Sequence, residues 1–142
     1  MRAYPGKSYE EKRMNDNIDS LIHAVQTWLV TGSISPDILA DDFIFSSPFW
    51  KEASKSAFLD KFLDPTEYIE TSLSNITGFD PIINCVSKDR SYFTITLKYH
   101  TKNGSSVDEV VVCKVQDGLI TEMKSIYDLS ETLKAHGLPA KA

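Results

Sequence analysis

The sequence predicts a single α+β domain in which a group of helices precedes a long antiparallel sheet. Two observations support this prediction. Apolar residues recur at helical spacing in the first part of the chain, whereas residues 92–127 alternate between apolar and polar side chains in three successive runs. The 142 residues are enough for one core, and no repeat or linker separates a second domain. We therefore expect one domain over residues 1–142, with residues 1–7 as a loose tail.

Three helices are predicted before residue 64. The first begins at the Ser8 capping pattern, Ser-x-x-Glu, and ends near Gly32, which is well placed to stop a helix. A short second helix is expected over residues 36–40, because a serine followed by proline is a common helix start. The third covers residues 54–63, where the apolar positions again recur at helical spacing.

The strands are predicted at residues 43–47, 69–86, 92–101, 107–116 and 119–127. Gly78 and Pro81 indicate a bulge or bend in the second of these, because proline has no N–H to donate to a sheet. Asn103-Gly104 and Asp117-Gly118 are turn signals that join the last three strands as hairpins. The order, helices first and a meander afterwards, is that of an α+β fold.

Composition excludes several classes of function. The net charge of −5 and the absence of a basic stripe argue against nucleic-acid binding. No apolar run approaches the length of a membrane span, and the N-terminus lacks a secretory signal, so a cytoplasmic protein with no membrane partner is expected. Cys85 and Cys113 are too far apart, without a CxxC pattern, to indicate a metal site or a disulfide framework. We expect no metal and no cofactor.

A twisted antiparallel sheet can curl around helices so that its inner face lines a cavity. The candidates on that face are Phe45, Ser47, Phe93, Ile95, Leu97, Tyr99, Val111, Cys113, Val115, Met123, Ser125 and Tyr127. Trp28, Phe58 and Phe62 would close the cavity from the helices, with Trp50 at its mouth. This mostly apolar set, with a few hydroxyls and a thiol, is typical of sites for small hydrophobic molecules. It is equally typical of an ordinary packed core, which composition alone favours for any single member.

The order of the elements resembles the nuclear transport factor two-like superfamily, which includes ketosteroid isomerases, scytalone dehydratase and small polyketide cyclases. The resemblance rests on residues 39–48, 93–99 and 117–128, and with the helices it covers roughly residues 10 to 136. It implies a cone-shaped fold, in which a curved antiparallel sheet wraps around N-terminal helices and encloses a deep pocket. It also implies a homodimer formed through the outer face of the sheet. It does not fix an activity, because this fold includes enzymes, binding proteins and transport factors.

The residues that would make a ketosteroid isomerase are absent from the expected positions. In those enzymes the residue before the proline that closes the first strand is an aspartate that moves the proton, and here that residue is Ser47. A serine without a base cannot abstract a proton from carbon near neutral pH. In an ungapped comparison the two oxyanion donors fall near Val25 and Val111, which are apolar. Isomerase chemistry of that kind is therefore disfavoured.

If the protein is an enzyme, a lyase, isomerase or cyclase that uses Tyr127, Asp128 and His23 is the most concrete hypothesis. His23 would serve as a base if it pointed towards Asp128, but a solvated pair with Asp19, four residues earlier, is the favoured alternative. His136 is expected in the C-terminal tail.

Asp128 has a structural alternative as well. With Glu131 it forms a capping box for a C-terminal helix that would run to Gly137. A capping aspartate stays ionised because the backbone amides stabilise its charge, so the structural role is favoured over the catalytic one.

The leading hypothesis is a homodimeric protein that binds a small, largely apolar molecule in the concave pocket. The first alternative is the enzyme described above. The second is a non-catalytic homodimerisation module whose cavity is filled by its own side chains. In that module the outer face of the sheet would make the contact through Thr94, Thr96, Lys98, His100, Val110 and Val112.

Overall fold

The computed structural model describes residues 9–61 and 73–139, and within them the side chains of residues 17–60 and 73–139. The helices are α1 (Tyr9–Thr31), α2 (Lys55–Lys61) and α3 (Leu129–Ala135). The strands are β1 (Leu39–Ser46), β2 (Ala53–Ser54), β3 (Ile76–Phe79), β4 (Ile83–Val86), β5 (Tyr92–Thr101), β6 (Ser106–Gln116) and β7 (Leu119–Ile126). The α+β class is confirmed. Single turns of 3-10 helix at Pro36–Ile38 and Leu73–Asn75 precede β1 and β3.

Among the described residues, seven strands form one curved sheet that does not close on itself. The strand order is β2-β1-β7-β6-β5-β3, and β4 also pairs with β5. The sheet is mixed rather than antiparallel throughout, because β1 runs parallel to β7, with Phe45 opposite Met123. Parallel neighbours need a long crossover connection, and here residues 47–118, about half of the chain, lie between the two strands.

The meander has the predicted limits. β5 covers the predicted residues 92–101, and β6 and β7 differ from the prediction by one residue at one end each. Both turns are as expected, with Gly104 and Gly118 at positive φ of 86° and 78°. Glycine adopts this backbone conformation without steric cost, which is why these dipeptides mark hairpins.

Several predictions differ from the structure. The first strand, predicted at residues 43–47, is β1 over Leu39–Ser46 and ends before Ser47. The short helix ends at Ile38, so the prediction that Leu39 and Ala40 are helical is wrong. Leu39 instead pairs with Ile120 of β7, and this distant pairing outweighs the local preference. Residues 69–72 of the strand predicted over residues 69–86 lie outside the described residues. The rest of it is a 3-10 turn followed by two strands, β3 and β4, which pair with the same edge of β5 on either side of residues 80–82. Its predicted bulge is confirmed by a register shift between Ile76 and Gly78.

Three helix-end signals are confirmed, at Gly32, Ser35 and Asp128. The third predicted helix, over residues 54–63, is α2, which begins at Lys55, and residues 62 and 63 lie outside the described residues. Gly32 ends α1 at a φ of 79°, and Ser35 caps the turn that follows by accepting a hydrogen bond from the backbone N–H of Asp37. Asp128 caps α3 through a 2.9 Å bond from the N–H of Glu131 to its Oδ1, although α3 ends before residue 137. The predicted start at Ser8 lies outside the described residues.

A cluster of aromatic rings fills the space between the helices and the sheet. Phe58 of α2 is fully buried, and its ring centroid lies 4.8 Å from that of Phe45, 5.2 Å from that of Phe43 and 5.6 Å from that of Trp28. The tilted ring arrangements are those that aromatic pairs prefer. This cluster joins α1, α2 and β1 into one core. In the described ranges, no helix has both the length and the apolar composition needed to span a bilayer.

Replacing Phe58 with alanine should lower the free energy of unfolding by about 3–5 kcal/mol, because it removes a fully buried ring and leaves a cavity. Urea denaturation followed by circular dichroism measures this change. Ile83→Ala is the control, because Ile83 is 61% exposed and its loss should change stability by less than about 0.5 kcal/mol. Equal effects of the two substitutions would contradict the described core.

Candidate functional site

Cross-strand pairing aligns the inner-face residues in rows. Phe45 lies opposite Met123 and Met123 opposite Cys113, while Val111 lies opposite Ser125 in the next row. All five are almost completely buried, and burial raises the pKa of the Cys113 thiol, which keeps it protonated. The hydroxyl of Ser125 has no hydrogen-bond partner among the described residues. The middle of the interior is therefore apolar and tightly filled.

Ser47 and Trp50 close the loop that follows β1. The backbone N–H of Ser47 donates to the carbonyl of Trp50, and the N–H of Trp50 donates to the hydroxyl of Ser47, both at 2.9 Å. The ring of Trp50 then lies against Phe45, with the centroids 6.1 Å apart. Ser47 thus holds the turn that positions Trp50 over the edge of the aromatic cluster.

The three residues considered as catalytic lie in different environments. Tyr127 is buried, Asp128 is exposed and engaged in capping α3, and His23 is exposed on α1. Asp19, four residues before His23, is exposed as well, which is consistent with the alternative of a solvated pair between the two. The catalytic role of the trio remains a prediction. Phe62, which the sequence placed in the ligand-binding set, lies outside the described residues.

A polar cluster lies at the end of the sheet where β5 finishes. The hydroxyl of Tyr99 is 2.9 Å from Nε2 of His136, and the two rings are in tilted contact. The side-chain nitrogen of Asn75 donates to the carbonyl of Ala135 at 3.1 Å and lies 3.3 Å from Nδ1 of His136. Because that amide nitrogen donates, Nδ1 accepts and Nε2 bears the proton that it donates to Tyr99. Burial lowers the pKa of His136, which favours this neutral form.

Glu109 faces the same place from β6. Glu109 is only 6% exposed, although a carboxylate is costly to remove from water. Together with the polar cluster it lines a narrow cleft whose other walls are Trp28, Leu29, Leu73, Ile76 and Leu97. The volume of the cleft is about 20 Å³, which is room for about one water molecule.

Sequence reasoning missed both Glu109 and His136. The alternation of side chains along β6 could have found Glu109, because residues two apart point to the same face and Glu109 is two residues before Val111. Val111 is the position at which the family comparison expected an acid. His136 was expected in a tail, and no local signal indicates that the end of α3 packs beside Tyr99. Of the residues predicted to line or close the cavity, the cleft contains Trp28, Leu97 and Tyr99.

The cleft brings together three kinds of polar group in an apolar wall. A carboxylate accepts hydrogen bonds or a proton, a phenol can donate or accept, and a neutral imidazole does both. Such a set can orient the polar end of an apolar ligand or move a proton on it. No group of three or more His, Cys, Asp or Glu side chains in the described ranges is arranged to hold a metal ion.

Comparison with known proteins identifies the fold. No protein-family model matches the chain, and no curated protein matches it. Among solved structures, a candidate polyketide cyclase from Xanthomonas campestris is 15% identical, with a TM-score of 0.63 over 87% of this chain and 98% of the other. An NTF-2 like protein of unknown function from Burkholderia xenovorans is 13% identical, with a TM-score of 0.59 over 91% of this chain and 89% of the other.

A third similar structure is a hypothetical protein with a ketosteroid isomerase-like fold from Catenulispora acidiphila. It is 15% identical, with a TM-score of 0.55 over 82% of this chain and 93% of the other. These similarities define an α+β protein with a curved sheet packed against helices. The chain has the nuclear transport factor two-like fold, as the resemblance implied. Because the identities are this low, the similarity establishes the fold and leaves the activity to be argued from the site.

The stability of the protein should fall as the pH decreases below about 6.5, because His136 has a lower pKa in the folded protein than in the unfolded chain. The unfolded chain therefore binds a proton at this residue first. The fall should end once the pH is below the lowered pKa of His136 in the folded protein. In His136→Gln this contribution disappears, so the difference in unfolding free energy between pH 7.5 and pH 5.5 becomes smaller.

Urea denaturation at the two pH values measures this difference. His23→Gln is the matched control, because His23 is exposed on α1 and its removal should leave the difference unchanged. If His136→Gln and the unmodified protein show the same difference, the described environment of His136 is wrong.

Proposed function

We propose that the chain binds a small, largely apolar molecule at the cleft where Tyr99, Glu109 and His136 converge. The observation that supports this proposal is the meeting of three buried or half-buried polar side chains at one place in an otherwise apolar interior. Polar groups are expensive to bury, and binding sites for apolar ligands place a few of them together to fix orientation. Elsewhere on the inner face, the buried rows are almost entirely apolar.

The size of the cleft determines how a ligand would enter. Sites for drug-sized molecules have volumes of about 300–1,000 Å³, far more than the volume of this cleft. Leu29, Leu73 and Ile76 line the cleft and are only partly buried, so we propose that their side chains move outward when a ligand binds. The similarities to a candidate polyketide cyclase and to a protein with a ketosteroid isomerase-like fold support a ligand of the polyketide or steroid type.

The proposed setting is the cytoplasm. Cys85 and Cys113 are both free, and free thiols persist in reducing compartments. Cys85 is exposed, so an oxidising compartment would leave it open to modification.

A thermal-shift and tryptophan-fluorescence screen with steroids, aromatic polyketides and aromatic acids tests the binding proposal. A ligand present at 100 times its Kd should stabilise the protein by about 2.7 kcal/mol. Glu109→Gln and Tyr99→Phe should each weaken binding of a hit by about tenfold or more, because the first replaces a charged acceptor with a neutral amide and the second removes a hydroxyl in a buried site.

Ile126→Ala is the matched control for these variants, because Ile126 lies on β7 and is 46% exposed, and binding should be unchanged. The proposal fails if no compound in these classes stabilises the protein. It also fails if a hit binds the Glu109 and Tyr99 variants as tightly as the unmodified chain.

A second candidate function is association of two copies through the outer face of the sheet. Register places Ile83, Thr96, Val110 and Ile126 in one row across four strands. Ile83 and Ile126 are 61% and 46% exposed, and exposed apolar rows commonly mark association surfaces. The filled centre of the interior also supports this candidate, because such a module needs no cavity. Lys98, with Asp108 3.7 Å away, supplies a polar flank to the row.

If this row is the contact, the protein should sediment at twice the mass of one chain. Ile126→Lys should shift the mass towards that of a single chain, because a dimer would then bury a charge in an apolar contact. Analytical ultracentrifugation over a concentration series measures both. Val30→Lys is the control, because Val30 is exposed on α1 rather than on the sheet. A monomer at all concentrations, or equal effects of the two lysine variants, would reject this candidate.

A further inference from the structure

We propose that a second groove, between α1 and the start of β5, binds a small monocarboxylic acid through the guanidinium of Arg90. The groove has a volume of about 620 Å³ and is lined by Asn17, Ile18, Asp89, Arg90, Ser91, Val115, Asp117 and Gly118. This volume is in the range of sites for small organic molecules. The groove does not overlap the lining of the cleft at Tyr99, and no feature of it enters the function proposed above.

Arg90 has no counter-ion among the residues that the structure describes. Its Nε is buried there without a hydrogen-bond acceptor, and no carboxylate in the described ranges lies within ion-pair distance of its guanidinium. A buried donor that lacks an acceptor costs free energy in the folded protein. A bound carboxylate would supply the missing acceptor, and arginine binds carboxylates through two parallel hydrogen bonds.

The acid that precedes Arg90 in the sequence is already engaged in the turn. One oxygen of Asp89, Oδ1, accepts three hydrogen bonds, from the hydroxyl of Ser87 at 2.8 Å and from the hydroxyl and N–H of Ser91 at 2.7 and 3.0 Å. These bonds lower the pKa of Asp89 to about 2 and hold its carboxylate in the turn. Asp89 therefore serves the turn between β4 and β5.

The backbone at Arg90 indicates that its side chain is not needed for the turn. Its φ is 61°, in the left-handed region that a residue with a Cβ adopts only at a cost. Its N–H donates to the carbonyl of Ser87 at 2.9 Å, a bond that a glycine would make equally well and with less strain. What arginine adds at this position is its guanidinium, which lines the groove.

The other walls define the rest of the ligand. Ile18 of α1 and Val115 of β6 provide apolar surface for a hydrocarbon or aromatic body. The β6–β7 turn lies against α1, because a Cβ added at Gly118 would be 3.5 Å from Oδ1 of Asn17. Asp117 of that turn adds a negative charge to the lining, which disfavours a dianion such as a phosphate monoester more than a monocarboxylate. The structure therefore favours an acid with one charge and an apolar body.

The two sites are far apart along the same strand. Ser91 precedes β5 and Tyr99 is near its end, which separates them by roughly 25 Å at about 3.3 Å per residue. Binding at one site can therefore be measured without occupying the other, and failure at either site leaves the other proposal standing.

Titration of 15N-labelled protein with benzoate and hexanoate tests the proposal, with benzamide as the uncharged analogue and inorganic phosphate as the multiply charged anion. We expect saturable shifts of the amides of Asn17, Ser91, Val115 and Gly118 with benzoate, and at least tenfold weaker effects with benzamide and phosphate. Shifts confined to the residues around Tyr99 and His136, or no saturable shift at millimolar benzoate, would overturn the proposal.

Variants at two positions separate a binding role from a structural one. Arg90→Gly should weaken benzoate binding at least tenfold while raising the thermal midpoint by about 3 °C, because it relieves the left-handed strain. Arg90→Gln keeps that strain and should lose binding to the same extent. Asp117→Asn should tighten benzoate binding about threefold by removing a like charge. Unchanged affinity in both Arg90 variants, or weaker binding in Asp117→Asn, would contradict the assignment.

Discussion

The parallel pairing of β1 with β7 is the interaction on which the rest of the structure depends. It joins the first long strand of the chain to the last and sets Phe45 opposite Met123. Because α1 precedes β1 and α2 follows it closely, the same pairing draws both helices over the inner face, where Phe58 completes the aromatic cluster. Closing so long a loop is entropically costly, and the burial of these rings offsets that cost.

The interior built in this way has an apolar middle and polar groups towards its two ends. At one end, Glu109 and the hydrogen-bonded pair Tyr99 and His136 face a narrow cleft. At the other, Arg90 lines a wide groove. The two sites have no lining residue in common. Each end can therefore differ in ligand preference without disturbing the other.

Local signals explain what the sequence could predict. Alternation and the two glycine turns determine β5, β6 and β7, and Asp128 and Gly32 mark helix ends through contacts within a few residues. The partner of β1 depends on distant pairing, which no local pattern encodes, whereas Pro81 marks the break between β3 and β4 locally. The candidate site was harder to predict from the sequence than the strands were. It joins α1, β5, β6 and the end of α3, so only Trp28, Leu97 and Tyr99 of the predicted cavity residues belong to it.

The open sheet has consequences for solubility. Its edges are formed by β2, which has two residues, and by β3 and β4, which have four each and are interrupted by a proline-containing turn. Short, broken edges offer few unpaired N–H and C=O groups to an incoming strand, so they give little template for edge-to-edge aggregation. The three long strands of the meander, β5, β6 and β7, lie inside the sheet with a neighbour on each side, whereas β1 pairs with β2 only at Ile44 and Phe45. The same strand order that leaves the sheet unclosed thus keeps the meander strands away from its edges.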